Sequence, residues 1–154
     1  MGRKMNTAAC GKKLAPATQI RNAIVDHLRA EAQSFSLPAL PEQIRGKLDV
    51  SGAPKGAWGI VVSAADLGDH GGNTGRVLVD IQPKITVFSH LEEDVDGSIC
   101  DAISADVLEL IQGIQYSLEG WYVAWNGNWT ITEVTMTDSF RQVTLISTIP
   151  IVKQ

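Results

Sequence analysis

The sequence predicts an α+β domain, a mostly antiparallel sheet with two packed helices in the order α-β-β-α-β-β-β, on three observations. Two stretches carry apolar residues at spacings of three and four, the period of an amphipathic helix. Several others alternate apolar and polar residues, the period of a strand with one buried face. The last strand patterns follow one another with only turn residues between them, so they pair as antiparallel neighbours and not through helical crossovers. A chain of 154 residues with 44% hydrophobic content has room for one core, and its 19% of charged residues argues against disorder in the body.

The elements follow in chain order. Residues 1–14 form a basic lead, and residues 15–154 a single domain with no internal boundary or repeat. In "APATQIRNAIVDHLRAEAQSF", Ala17, Ile20, Ile24 and Leu28 fall on one helical stripe, with Pro16 in the first turn and Thr18 as a candidate cap. "SLPALPEQIRGKLDVSGAPKG" holds three prolines and three glycines and reads as an irregular connection. "WGIVVSAA" reads as a short buried strand and "LGDHGGNTG" as a flexible loop. In "RVLVDIQPKITVFSHLEE", Val77, Val79 and Ile81 alternate, and the pattern resumes with Ile85 and Val87. Pro83 interrupts this long strand and predicts a bulge or an edge position, because proline has no N–H for a ladder.

The second helix spans about 97–114, with Ile99, Ile103, Val107, Leu110, Ile111 and Ile114 on one stripe and Asp101, Asp106 and Glu109 off it. Asp94, Asp96 and Ser98 crowd its start, where free N–H groups and the macrodipole favour acids. Beyond it, "WYVAW" and "WTITEVTM" flank an Asn-Gly pair, and "RQVTLISTIPIV" follows a turn at "TDSF". An "NGN" loop would set Trp125 opposite Trp129 and Val123 opposite Ile131, so that a hairpin built on Trp121, Trp125 and Trp129 covers the helix stripe as core.

Composition and motifs exclude more chemistry than they suggest. No apolar run approaches the roughly 18 residues of a membrane span, and "MGRKMNTAACGKK" has no apolar signal region. Cys10 and Cys100 lie far apart and read as two free thiols of an intracellular protein, which leaves the acceptor pattern at Asn128 without meaning. There is no nucleophile elbow, phosphate loop, zinc helix or paired-cysteine motif. The glycine-rich run precedes a strand, not the helix N-terminus a phosphate cradle needs. Asp66, Asp69 and His70 are too few ligands for a closed metal site. The run from Asp94 has Ile99 and Ala105 where a calcium loop needs glycine and glutamate. His27 reads as a packed histidine, and His90 with Glu92 lacks a nucleophile beside it. The expectation is a non-enzyme with no cofactor and no metal.

Charge is distributed unevenly. Residues 1–65 carry nine Lys/Arg and four Asp/Glu, whereas residues 66–138 carry two and thirteen. From Glu92 to Asp138 no Lys or Arg occurs, so an aromatic platform there would repel a polyanion. The split instead suits a basic segment of one copy meeting the acidic region of the next, as a head-to-tail ring requires.

The element order, and above all "VDIQPKITVFSHLEEDVDGSICDAISADVLELI" with the closing "DSFRQVTLISTIPI", resembles the tail terminator (tail completion) proteins of long-tailed bacteriophages over about residues 15–152. The basic lead and the proline-bearing linker depart from the commonest form. The resemblance implies a structural virion protein of the tail and neck, assembled in the host cytoplasm. It would be a homo-oligomer, expected as a hexameric ring, that caps the tail tube, ends its polymerisation and docks a head-tail connector or stopper protein. DNA would pass an acidic lumen without specific binding, and no membrane partner is implied. The subunit interface would pair Lys12, Lys13, Arg21 and Arg29 with a neighbour's Glu92, Glu93 and Asp94. The alternatives are a carbohydrate- or peptide-binding module using the tryptophan hairpin, another head-tail connector component, and, last, an enzyme using His70 or His90.

Overall fold

A computed structural model describes residues 14–37, 41–46, 58–69 and 77–154. Lys12, Lys13, Cys10 and His70, with most of the glycine-rich run and residues 47–57 of the linker, lie outside the described residues. The architecture is α+β: helices α1 (Pro16–Ala30) and α2 (Ser98–Ile111) and strands β1 (Ile44–Arg45), β2 (Trp58–Asp69), β3 (Leu78–His90), β4 (Trp121–Val123), β5 (Thr130–Met136), β6 (Phe140–Ile146) and β7 (Ile149–Lys153). The strands form one sheet in the order β1-β2-β3-β6-β5, with β7 beside the first part of β3 and β4 beside β7. Every pairing is antiparallel except β1 with β2.

Both helices cover the same face. Val79, Ile81, Ile85 and Val87 of β3 alternate inward and are buried with Ile60 and Val62 of β2 and Val143 and Leu145 of β6. Against them α1 sets Ile20, Ile24, Val25 and Leu28, and α2 sets Cys100, Ile103, Val107 and Ile111. The helical stripes read from spacing are therefore the ones that pack. Each fully buried Ile or Leu contributes about 1.5–3 kcal/mol of transfer free energy, which makes this shared face the main source of stability. His27 Nε2 lies 3.0 Å from the Leu110 carbonyl and ties the two helices together. Thr18 is not the cap: α1 starts at Pro16 behind Ala15 with no side-chain cap bond. Pro16 at the first position simply removes one of the orphan N–H groups of the helix start.

Three strand expectations are corrected. Pro83 makes neither a bulge nor a sheet edge; β3 is the central strand, paired to β2 along its length. On its other side β3 meets β7 through Ile81 and β6 from Lys84, so Pro83 stands at the handover between two partners. Its carbonyl accepts the Ser147 N–H at 3.2 Å. A strand residue points its N and its carbonyl to the same side, so the absent proton falls where one partner has ended and the next has not begun. The closing run breaks at Ser147–Thr148 into β6 and β7 for the same reason. The linker, in turn, holds a short added strand, β1.

The tryptophan hairpin does not form. β4 pairs with β7, placing Trp121 opposite Lys153, and β5 pairs with β6. Trp129 is 7% exposed in the core, Trp121 packs partly against it, and Trp125 is 56% exposed. Two separate long-range ladders outcompete the local turn because each adds backbone bonds to a sheet already held by the core.

Candidate interaction surface

The stretch richest in charge is the connection between β3 and α2. Asp94 is only 2% exposed there. Its Oδ2 accepts the Ser89 hydroxyl at 2.7 Å and the Cys100 N–H at 2.9 Å, and its Oδ1 accepts the Ile99 N–H at 2.9 Å. Asp94 therefore satisfies the orphan donors of the first turn of α2 from inside the protein, and is corrected from an interface residue to an internal anchor. Asp96 Oδ1 accepts the Ser98 N–H at 3.0 Å, and that bond holds its carboxyl below the ordinary value. The acids at this helix start are where the macrodipole predicts them. Gly97 makes the entry possible: its φ is +78°, and a Cβ there would run into the Arg141 side chain lying over it.

The other sequence-predicted interface residues divide. Glu92 and Glu93 are exposed on the turn before α2. Arg21 Nε and Nη2 reach Asn22 Oδ1 at 3.4 and 3.3 Å, leaving a part-buried cation on α1. Arg29 donates from Nε and Nη2 to the Ile44 carbonyl at 3.1 and 2.7 Å, so it ties α1 to β1. The hydrogen bonds of the two arginines run to Asn22 and Ile44 and not to the glutamates. Asp101 pairs with Arg141 at 2.8 Å, and this holds the guanidinium above its ordinary value. Asp106 accepts the Ser36 N–H at 2.7 Å. Glu92, Glu93, Asp96, Glu109, Glu119, Glu133 and Asp138 are exposed, and no Lys or Arg occurs in the sequence between residues 85 and 140.

Two depressions are relevant, the first beside Glu92 and Asp138. One, of about 360 Å³, is lined by His90, Leu91, Glu92, Asp138, Ser139 and Phe140. The His90 ring lies 4.6 Å from that of Phe140, and its Nε2 is buried with no hydrogen-bond partner among the described residues. The second, about 220 Å³, has the exposed Trp125 at its wall with Gln82, Asn128, Thr130 and Thr148. Among the described residues no group of three or more His, Cys, Asp or Glu is placed to hold a metal ion, and no helix is long and apolar enough to cross a membrane.

The position that sequence reading took only as a free thiol is Cys100, which falls on the stripe of Ile103, Val107 and Ile111 and is buried between α2 and the sheet. Its Sγ donates toward the Val87 carbonyl at 3.5 Å. Burial pushes its thiol up from 9.0 to about 11. The unfolded chain releases this proton near 9.0 and the folded one only near 11, so stability contributed by the neutral thiol is lost as pH rises across that window. A Cys10→Ser variant is expected to react slowly with a disulfide reagent at neutral pH until denaturant is added; fast labelling of the folded variant would contradict the burial.

The likeness to known proteins is confined to fold. No family model matches the chain, and no curated protein matches it. A chain in the solved structure described as "Virion of native gene transfer agent (GTA) particle" is similar with a TM-score of 0.60 and 13% identity, over 90% of this chain and 98% of that one. At this identity the similarity establishes a shared fold along nearly the whole of both chains.

Proposed function

We propose that the chain is a structural, non-enzymatic virion protein of a phage-like particle, and within it the tail terminator: a hexameric ring in the neck that caps the tail tube, ends its polymerisation and joins it to the head connector. The observation that carries the reading is the fold shared with a chain of the gene transfer agent virion over 90% of this one. The excess of exposed acids between residues 85 and 140 supports it. Phosphates gain nothing from the exposed Glu109, Glu119, Glu133 and Asp138, so DNA would pass them without the cation contacts that would hold it.

The subunit contact proposed is between the basic Lys12, Lys13 and Arg21 of one copy and the exposed Glu92 and Glu93 of the next, with tail tube protein and connector on the two ends of the ring. Reversing Glu92 and Glu93 to lysine is expected to weaken self-association about tenfold at low salt, equivalent to about 1.4 kcal/mol. The effect shrinks at high salt because exposed pairs are screened. Sedimentation of the purified protein with and without tail tubes reads this directly. A particle that stays monomeric at every concentration and never joins a tube would refute the ring.

A further inference from the structure

The sheet leaves one long edge open, and its chemistry is specific. Among the described residues β5 pairs on one side only, with β6. Ile131 opposes Leu145, Val134 opposes Val143 and Met136 opposes Arg141, so these three side chains stand on the face that the helices cover elsewhere. α2 packs over β3 and β6, and the stripe beyond it stays bare, with Ile131 48%, Val134 52% and Met136 57% exposed. An apolar row beside unpaired backbone groups is a template for another strand. Natural edges are often blunted by lysine, proline or a bulge; β5 carries neither lysine nor proline, and its one irregularity, between Ile131 and Glu133, lies near its start.

The charge around this edge narrows the occupant. Glu133 lies within β5 and Asp138 follows it, while Asp101 at the α2 start is already paired with Arg141, the partner of Met136. Glu109 is exposed toward the other end of α2. A strand seated here must therefore be uncharged along about seven residues and basic at its ends. The lead of this same chain has that form: residues 5–11, "MNTAACG", carry no charge and match the seven residues of β5, between Arg3-Lys4 on one side and Lys12-Lys13 on the other. With residues 5–11 seated as a strand, residues 12–15 remain to reach it from α1, about 13 Å when extended, so the proposal requires the acceptor edge of the next copy to lie close to the start of α1.

We propose that β5 is an acceptor edge for the residue 5–11 segment of a neighbouring copy, added to the sheet as a further strand. Main-chain bonds give the affinity, the Ile131–Val134–Met136 row receives the small apolar side chains, and the flanking lysines and arginine meet the acids. The proposal rests on the self-assembling reading above and specifies how copies grip one another.

The test uses the full chain and hydrogen exchange of the 130–136 segment, read when dilute and when concentrated, alongside particle mass. Exchange is expected to slow at least tenfold on concentration as the particle grows. Val134→Lys and the double variant Ala8→Asp, Ala9→Asp should each remove both effects, and added peptide of residues 1–13 should restore β5 protection in the lead variant. The lead variant changes none of the described residues, so it decides the matter if Val134→Lys fails to fold. Protection that is already complete at high dilution would mean that the chain's own lead fills the edge, and would overturn exchange between copies. Association with β5 still exchanging freely would overturn the proposal while leaving the ring intact. A chain that never associates would bring down both.

Discussion

Replacing Phe88 with alanine is expected to lower the unfolding free energy by about 3–5 kcal/mol, read by urea denaturation. Phe88 is 1% exposed although it points away from both helices. Its ring packs edge-on against Phe140 at 5.9 Å and against His90 at 6.4 Å. It lies so close over Gly59 that a Cβ there would stand 2.6 Å from Phe88 Cζ. The ring thus stitches β2, β3 and β6 on the face with no helix cover, and nothing close by can collapse into the space it leaves. Gly59→Val should harm the protein through the same contact from the opposite direction, by overpacking. A loss below about 1 kcal/mol for Phe88→Ala would mean that this face relaxes freely and that the aromatic group is not a second core.

Asp94→Ala should cost about 3–4 kcal/mol, since it removes three hydrogen bonds at once, each made to a charged acceptor. The Ser89 hydroxyl would be left buried without a partner, as Ser89 is 2% exposed. The first N–H groups of α2 would lose their acceptors, and the helix start would fray from the sheet. Asp94→Asn keeps one acceptor oxygen and should lose roughly half as much, which separates the bonds from mere occupancy of the space. Near-equal losses in the two variants would assign the effect to the charge at the macrodipole. No loss in either would remove Asp94 from its anchoring role and return it to the surface.

Much of this molecule was legible from spacing. The stripe Ile20, Ile24, Leu28 and the stripe Ile103, Val107, Ile111 are local patterns, and both pack where their period points them. The acids ahead of α2 were legible for the same reason, because an N-terminus attracts anions through groups only a few residues away. Sequence reading placed Asp94 correctly as a helix-start acid and wrongly as a contact for a neighbour. Nothing in the local pattern says that Ser89 and two backbone N–H groups close around it. Arg29 is the parallel case, a cation on an amphipathic helix whose fork is taken by the Ile44 carbonyl fifteen residues away.

The tryptophans mark the boundary. Asn-Gly between two apolar runs is a strong hairpin signal, yet the runs it separates pair with β7 and β6 instead. By itself the sequence determined the fold class, the two helices, the long central strand and the segregation of charge, because each follows from residue period or composition within a window of a few turns. Only the tertiary structure decided which strands are neighbours, which tryptophan is buried, where Pro83 finds its gap and which edge stays open. Those outcomes depend on partners far along the chain competing for the same backbone groups, and a ladder is chosen by the core it completes rather than by the turn that precedes it.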